Sequence, residues 1–350
     1  MEKNTVIITH DLARDLSAAI GRIDPDRLFV LVDEHTADCC WPLLRESLRG
    51  YSPTLITIPP SDEAKNLDSL SRVWQALSQG GASRRSLLLN LGGGMVTDLG
   101  GFAASTFKRG IAFINLPTTL LAMVDASVGG KTGINFCGLK NEIGVFNDAD
   151  TVLLDTRFLR TLDRANLLSG FAEMLKHGLI DSTAHLHALL RFDVEQPDFG
   201  VLADLVATSV GVKQRIVSQD PHEHGLRKAL NLGHTTGHAF ESLAMAEGRT
   251  ILHGFAVAWG LICELYLSAT RCGFPSATLH HVRHFVRDHY GSFALECREY
   301  DRLYELMTHD KKNTAGHINF TLLGDVGDIR INQTASKEDI FEMLDYYREG

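Results

Sequence analysis

The first 160 residues or so alternate between short apolar runs and amphipathic stretches. The apolar runs at residues 6–8, 28–32, 54–58, 87–91 and 151–154 predict strands, and the stretches 11–20, 37–48 and 67–77 predict helices. Such alternation is typical of a parallel sheet with helices on both faces, and the apolar run LLLNL fits a strand buried on both sides. We therefore expect an α/β N-terminal domain built on a parallel sheet.

The pattern changes after residue 155, where helical periodicity becomes dominant. Helices are predicted at 166–180, 184–190, 200–217, 255–267, 276–289, 300–309 and 336–347, with a short strand pair at 318–323 and 328–331. The change in composition predicts two domains, 1–156 and 157–350, the second rich in helix.

Composition and charge narrow the functional class. The hydrophobic content of 44% is that of an ordinary globular protein, and the net charge of -9 argues against binding to nucleic acid or an anionic membrane. The six cysteines form no CxxC pair, which favours free thiols in a reducing compartment. The N-terminus lacks a signal pattern, and the apolar stretch 251–267 is interrupted by His253 and Glu264. We expect a cytoplasmic protein.

A glycine run follows the strand predicted at 87–91. The segment Gly92-Gly93-Gly94-Met95-Val96-Thr97-Asp98 would let backbone N–H groups approach a pyrophosphate at a helix N-terminus. A tight turn that merely requires positive φ angles is the alternative. Its position after a strand favours nucleotide binding, but the spacing is not GxGxxG, so an ordinary Rossmann fingerprint is not supported.

Residues 116–141 combine glycines with polar side chains. The segment GGKTG lacks the four-residue spacer of a Walker A motif, which excludes an ordinary phosphate loop. Lys131 and Lys140 in glycine-rich loops nevertheless fit an anionic ligand better than a solvated surface.

The helical half carries a possible metal site. His234 and His238 are four residues apart and would share one face of a helix, and His253 offers a third imidazole. A hydrogen-bonded pair in a packed core is the alternative. Glu173 precedes Lys176 by three residues between apolar flanks, and a glutamate buried there would need a partner that a metal could supply.

Several segments together resemble one family. The runs GGGMVTDLGGFAASTFKRG, LPTTLLAMVDASVGGKTGIN, GLKN, FAEMLKHG, GLRKALNLGHTTGHAFE and LHG occur in order between about residues 33 and 312. They are similar to the 3-dehydroquinate synthase family of sugar phosphate cyclases, which are relatives of metal-dependent polyol dehydrogenases. The resemblance implies an N-terminal NAD-binding α/β domain, a helical metal- and substrate-binding C-terminal domain, an active site in the cleft between them, and a homodimer.

The resemblance also implies roles for individual residues. Glu173, His234 and His253 match the family's ligands for Zn²⁺ or Co²⁺, and His238 matches a catalytic histidine beside the substrate phosphate. Arg109 matches an arginine that the family donates across a dimer interface. Further substrate contacts match Asp125, Lys131, Asn141, Lys176, Lys213, Arg227 and Asn231, and one of Lys311 and Lys312 in the DKK motif.

The implied NAD contacts belong to the first domain and its end. They are Asp33, Lys65, Gly93, Gly94, Asp98, Thr118, Thr119, Lys140, Phe158, Thr161 and Leu162. Three positions depart from the family pattern: His35 replaces an asparagine, Asp62 a glutamate and Thr97 a glycine. All three departures lie around the implied cofactor site and not among the residues implied in the reaction.

The implied reaction converts 3-deoxy-D-arabino-heptulosonate 7-phosphate to 3-dehydroquinate and phosphate, in the shikimate pathway of aromatic amino acid biosynthesis. It consists of a transient NAD-dependent oxidation, β-elimination of phosphate, re-reduction and an intramolecular aldol closure. The alternatives are another sugar phosphate cyclase of the 2-epi-5-epi-valiolone synthase type, an NAD-linked polyol dehydrogenase, and a non-catalytic metal-binding protein with the same fold.

Overall fold

The structure, a computed structural model, describes residues 5–137, 139–308 and 318–349. It divides the chain into two units, Met1–Asp163 and Arg164–Gly350, so the division falls a few residues beyond the predicted boundary. Lys311 and Lys312 lie outside the described residues.

The first unit is built on a parallel sheet. Its strands are β1 (Thr5–Ile8), β2 (Leu28–Asp33), β3 (Thr54–Ile58), β4 (Leu87–Gly92), β5 (Ala112–Pro117), β6 (Lys131–Phe136), β7 (Leu139–Phe146) and β8 (Thr151–Leu154). Its helices are α1 (Leu12–Ile23), α2 (Glu34–Cys39), α3 (Trp41–Ser47), α4 (Leu67–Gln79) and α5 (Gly94–Thr106).

Six of these strands pair in the order β1-β8-β5-β4-β2-β3, and each neighbouring pair is parallel. Every residue of β2 and β4 is buried, as expected of central strands covered on both faces. The prediction of an α/β N-terminal domain is confirmed. The single helix predicted at 37–48 is in fact two, because Pro42 lies in the first turn of α3 and favours a new helix start there.

Residues 131–146 are not the glycine-rich loop that the sequence predicted. They form an antiparallel hairpin, β6–β7, in which Lys131 pairs with Phe146 and Gly133 with Gly144. A Cβ atom on Gly133 would lie 2.6 Å from the carbonyl oxygen of Ile143, so this glycine allows two backbones to approach closely. The sequence patterns also failed to predict strand β5, because polar residues surround it.

The second unit is mostly helical. It contains α6 (Arg164–Asp181), α7 (Thr183–Leu190), α8 (Phe199–Gln219), α9 (His234–Ala246), α10 (His253–Cys272), α11 (Ser276–Tyr290), α12 (Tyr300–Thr308), the antiparallel strands β9 (Phe320–Asp325) and β10 (Asp328–Gln333), and α13 (Lys337–Glu349). Helix α10 is the centre of the unit, because it packs against α6, α9, α11, α13 and β9. Among the described helices, none has both the length and the apolar composition needed to cross a membrane.

Candidate active site

Helix α6 places a carboxylate in the interior of the second unit. The side chain of Glu173 is fully buried, and Lys176, one turn later, is 1% exposed. The ammonium group of Lys176 contacts Oε2 of Glu173. An ionised carboxylate in such a place requires compensating charge. The sequence prediction that Glu173 is buried and partnered is therefore confirmed.

His234 is oriented by the start of α9. Gly233 has a φ of 80°, and this left-handed residue separates α9 from the preceding 3₁₀ turn Leu226–Asn231. The Nδ1 atom of His234 donates a hydrogen bond to the carbonyl oxygen of Leu232 at 3.1 Å. The other ring nitrogen, Nε2, lies 3.3 Å from Oε1 of Glu173.

His253 is oriented in a different way, at the first residue of α10. Its Nδ1 atom donates a hydrogen bond to Oε2 of Glu241 at 3.1 Å, and its Nε2 atom lies 3.5 Å from Oε1 of Glu173. The next residue, Gly254, donates its N–H to Oγ of Ser169 at 3.1 Å. A Cβ atom at Gly254 would lie 1.9 Å from the carbonyl oxygen of Ser169, so only glycine allows α10 to begin this close to α6.

These three side chains fit a divalent metal ion. Ligand atoms of Glu173, His234 and His253 all lie within 4.8 Å of one another. Both carboxylate oxygens of Glu173 are buried, and they face the ammonium group of Lys176 and the two imidazoles. One carboxylate and two imidazoles are a ligand set typical of Zn²⁺ or Co²⁺ that retains open coordination positions.

The charges of the cluster shift the pKa values of its members. Burial opposes the ionisation of Glu173, but the charges of Lys176 and His234 outweigh it and hold the pKa of Glu173 well below its usual value. Burial likewise disfavours a charged His253, but Glu241 and Glu173 raise its pKa to about 10. Without metal, positive charge on nearby side chains compensates the buried carboxylate, so metal binding must displace a proton from His253.

His238 falls outside the group that includes Glu173. Its ring centroid lies 5.5 Å from that of His234 and 5.9 Å from that of His253. It belongs instead to a second group of ligand atoms within 4.8 Å of one another, formed with Glu241 and His253. The HxxxH spacing alone would have paired His234 with His238, whereas the packing of α6 against α10 brings Glu173 to His234 and His253.

The second unit also buries cationic side chains predicted to contact substrate. Lys176, Lys213 and Arg227 are 1%, 5% and 3% exposed, which is unusual for lysine and arginine. Nη1 of Arg227 donates to the carbonyl oxygen of Pro221 at 2.6 Å, and Nδ2 of Asn231 donates to Oε1 of Glu223 at 2.9 Å. Both α8, which carries Lys213, and the 3₁₀ turn, which carries Arg227 and Asn231, pack against α6.

In the first unit, most of the predicted NAD contacts lie at the carboxyl ends of adjacent parallel strands. Asp33 ends β2 and accepts a hydrogen bond from the N–H of Thr36 at 2.8 Å, Gly93 caps α5 after β4, and Thr118 follows β5. Beyond β8, a 3₁₀ segment, Thr156–Thr161, carries Phe158 and Thr161. Ligands of open α/β sheets bind at this edge.

Lys65 contacts one residue that is predicted to bind the cofactor and one that is predicted to bind the substrate. It is 3% exposed, its Nζ atom lies 2.6 Å from Oδ2 of Asp98, and it also contacts Oδ1 of Asn141. Of the three departures from the family pattern, Asp62 lies 3.4 Å from Nζ of Lys140 and therefore reaches a predicted NAD contact. Thr97 is buried and its hydroxyl donates to the carbonyl oxygen of Gly94 at 3.2 Å, which satisfies it within α5.

The remaining predicted substrate residues of the first unit lie on different elements. Asp125 lies in a π-helical turn, Ala122–Ala126, and Lys131 is the exposed first residue of β6. Arg109 follows α5 and adopts a left-handed φ of 69°.

Sequence reasoning missed two carboxylates that orient the histidines. Glu241 binds His253, and the buried Glu264 of α10 accepts hydrogen bonds from the N–H groups of Gly233 at 2.6 Å and Thr236 at 3.1 Å. Glu264 thereby caps α9, whose own N-cap residue is a glycine without a side chain. A lone carboxylate in the apolar stretch 251–267 was the available signal, since it must find donors when buried.

Comparisons with known proteins agree with this arrangement. The model of the 3-dehydroquinate synthase N-terminal domain matches residues 55–169, and that of the C-terminal domain matches residues 170–313. A curated 3-dehydroquinate synthase from Parabacteroides distasonis is 53% identical over 350 residues, which is 100% of this chain and 99% of that protein. The chain belongs to the 3-dehydroquinate synthase family. The resemblance found in the sequence motifs is confirmed.

Solved structures of sugar phosphate cyclases share the fold. A 2-epi-5-epi-valiolone synthase from Streptomyces hygroscopicus subsp. jinggangensis 5008, with NAD⁺ and Zn²⁺ bound, has a TM-score of 0.88 at 25% identity and covers 100% of this chain and 98% of that one. A 2-deoxy-scyllo-inosose synthase complexed with carbaglucose-6-phosphate, NAD⁺ and Co²⁺ has a TM-score of 0.83 at 25% identity, covering 99% and 96%.

Proposed function

We propose that this protein is a 3-dehydroquinate synthase, which converts 3-deoxy-D-arabino-heptulosonate 7-phosphate to 3-dehydroquinate and phosphate. The observation that carries the proposal is the buried carboxylate–imidazole cluster, in a chain 53% identical along its whole length to a curated 3-dehydroquinate synthase. The enzyme uses NAD and a divalent metal ion, Zn²⁺ or Co²⁺, like the two cyclase structures that contain both.

Each group has a place among the described residues. Glu173, His234 and His253 hold the metal, and the carboxyl ends of the parallel strands, with Asp33, Gly93 and Thr118, hold NAD. When bound, the metal polarises a substrate hydroxyl and NAD accepts and returns a hydride. Because NAD is regenerated in every turnover, the protein needs to hold it through the whole reaction.

The chain's own side chains bind the anionic groups of the substrate and orient it. Lys176, Lys213 and Arg227 supply positive charge in a low-dielectric interior, where attraction for a carboxylate or a phosphate is strong. His238 donates a hydrogen bond to the departing phosphate. Asn231, Asp125, Asn141 and Lys131 complete the proposed substrate contacts, as does one of Lys311 and Lys312, which lie beyond the described residues.

The alternatives explain fewer of these residues. A valiolone-type cyclase acts on a substrate without a carboxylate, and its structural likeness here rests on 25% identity. A simple polyol dehydrogenase has no use for three buried cations. A non-catalytic metal-binding protein has no use for them either.

One assay separates these functions. Purified protein with NAD⁺ and Zn²⁺ or Co²⁺ should release phosphate from 3-deoxy-D-arabino-heptulosonate 7-phosphate without net accumulation of NADH. Steady NADH formation with a polyol would indicate a dehydrogenase, and turnover of sedoheptulose 7-phosphate alone would indicate a valiolone-type cyclase. Absence of turnover with all of them, with metal still bound, would indicate a protein without catalytic activity.

The two histidines of α9 are proposed to have different roles, which substitutions can separate. Glu173→Ala should lose metal and activity together, because it removes the only carboxylate of the ligand group. His238→Ala should keep its metal content but lose roughly 100-fold or more in kcat, the range for loss of a proton-donating side chain. Metal analysis and phosphate release are measured on the same samples. Loss of metal from His238→Ala would contradict the division.

We further propose a cytoplasmic homodimer. In support, the hairpin β6–β7 exposes a series of large apolar side chains. The exposed side chains are Phe136, Leu139, Ile143, Val145 and Phe146. Exposed apolar patches of this kind mark protein interfaces.

A further inference from the structure

The two proposed imidazole ligands are held by different partners. The Nδ1 atom of His234 donates to a backbone carbonyl, that of Leu232, whereas the Nδ1 atom of His253 donates to the carboxylate of Glu241. A backbone carbonyl is fixed by the fold and cannot be changed by substitution. The Nδ1 hydrogen bond of His253, in contrast, depends on a side chain that substitution can change.

His253 is also the most exposed of the three proposed ligands. Its side chain is 29% exposed, compared with 11% for His234 and 0% for Glu173. It is the first residue of α10, so the preceding turn of helix that would confine a side chain is missing. Glu241 lies on α9, and its hydrogen bond therefore ties the ring of His253 to the neighbouring helix.

We propose that Glu241 is a positioning residue that holds His253 in the orientation and tautomer required for metal binding. The inference rests on the proposed metal site of Glu173, His234 and His253. By accepting a hydrogen bond from Nδ1, the carboxylate keeps a proton on that nitrogen, so that Nε2, the atom that faces Glu173, is the nitrogen that binds the metal. The negative charge beside the ring also increases the basicity of Nε2 toward a cation.

The geometry allows one competing role for Glu241. Ligand atoms of His238, Glu241 and His253 also lie within 4.8 Å of one another, so Glu241 could itself bind a second metal ion. The two roles predict different stoichiometries. A positioning residue weakens binding of one ion when changed, whereas a ligand of a second ion removes one equivalent.

The experiment compares Glu241→Gln with Glu241→Asp and a matched control. Glutamine keeps the size of the side chain and an acceptor oxygen but loses the negative charge. Aspartate keeps the negative charge, but its side chain is shorter by one methylene group. Glu247→Gln is the control, because it makes the same change at the end of α9, where Glu247 pairs with Arg249 on the surface. Metal-free proteins are titrated with Co²⁺, then with Zn²⁺ in competition with a chelator.

The wild type and all three variants should bind one equivalent. Glu241→Gln should bind it roughly 10- to 100-fold more weakly, the range for loss of such a partner, with Glu241→Asp between it and the wild type. The visible absorption of bound Co²⁺ should change in Glu241→Gln and not in Glu247→Gln. Saturating metal should restore much of the activity of Glu241→Gln.

Other outcomes would overturn the inference. Unchanged affinity in Glu241→Gln would show that the hydrogen bond does not support the metal site, and two equivalents in the wild type against one in Glu241→Gln would make Glu241 a ligand. Activity lost at saturating metal with wild-type affinity would indicate direct contact with substrate. A wild type that binds no metal would refute the proposed function itself, a result distinct from any of these.

Discussion

Two neighbouring cysteines should differ in reactivity because only one of them is exposed. Cys39 is exposed, whereas Cys40 is buried and its Sγ atom lies 3.8 Å from Oγ1 of Thr161. Burial raises the pKa of Cys40 to about 11, although the hydroxyl of Thr161 opposes this shift. Because the thiolate is the reactive form, Cys40 is mostly unreactive at pH 8.

Alkylation of the native protein with iodoacetamide at pH 8 should therefore modify Cys39 and spare Cys40. Peptide mass spectrometry locates the modified residue, and unfolding in denaturant is the control that should make both thiols react. Equal labelling of the two in the native protein would show that Cys40 is accessible.

Single residues also show where sequence reasoning reaches its limit. The apolar flanks of Glu173 were enough to predict a buried carboxylate in need of a partner, because burial follows from local composition. The partners of Glu241 and Glu264 were not predictable in this way. Their hydrogen bonds depend on how α9 and α10 pack, and helical periodicity does not specify which side chains meet across that contact.

At the scale of elements, the crossing of α9 and α10 depends on glycine. A Cβ atom on Gly260 of α10 would lie 2.0 Å from the carbonyl oxygen of Gly233 and 2.9 Å from the nitrogen of Gly237. Gly260→Ala must therefore push the two helices apart, which should cost about 1–3 kcal/mol of the free energy of unfolding. Because α9 carries His234 and α10 carries His253, metal affinity should fall as well.

Gly211→Ala is the matched control for this prediction. Gly211 lies within α8, and a Cβ atom there would lie more than 4 Å from every described atom outside its own helix. Alanine should stabilise that helix by up to about 1 kcal/mol, because glycine is a poor helix former. Urea unfolding measures both variants, and an equally stable Gly260→Ala would show that the helix contact is not tight.

A second cluster, which joins α6, α7 and α8, should make stability depend on pH. The Nδ1 atom of His185 lies 3.2 Å from Oδ2 of Asp181, and its Nε2 atom lies 3.3 Å from Oγ of Ser209. Burial lowers the pKa of His185 below its usual value despite the nearby carboxylate. Below about pH 6.5 the unfolded chain binds a proton that the folded His185 does not, so the free energy of unfolding should fall.

His185→Asn should reduce the loss of stability between pH 7 and pH 5. Urea unfolding of metal-free protein measures it, so that dissociation of metal does not contribute. His284→Asn is the control, because it makes the same substitution at a histidine whose side chain is 81% exposed. An unchanged pH dependence in His185→Asn would contradict the proposed link.

The hairpin β6–β7 is an element that the sequence patterns did not predict. Glycines in GGKTG have two structural uses, a turn with positive φ at Gly129 and Gly130 and the close approach of Gly133 to Gly144, and neither requires a ligand. Glycine content alone does not distinguish these uses from an anion loop. The strands β2, β3, β4 and β8 were predicted well because their apolar runs are bounded by polar turns.

At the scale of the whole molecule, net charge does not reveal the proposed site. The net charge of -9 and the family both agree with a small-molecule enzyme. The net charge does not show that the fold buries three cationic side chains within one unit, those of Lys176, Lys213 and Arg227. Under the proposed function, these cations would give an anionic substrate a local positive potential in an acidic protein, which the net charge does not reveal.

The proposed dimer gives the last prediction, which concerns assembly. Phe146 is 56% exposed at the end of β7, on the hairpin that packs along α5, the helix followed by Arg109. Phe146→Asp should place a charge in the proposed interface and yield monomers in sedimentation velocity. If Arg109 acts across that interface, these monomers should bind NAD and metal yet lose most of their activity. Met245→Asp is the matched control, because Met245 is a 63% exposed apolar residue on α9 of the other unit, and its variant should remain dimeric and active. A dimeric, active Phe146→Asp would place the interface elsewhere, and a monomeric wild type with full activity would refute the role of Arg109.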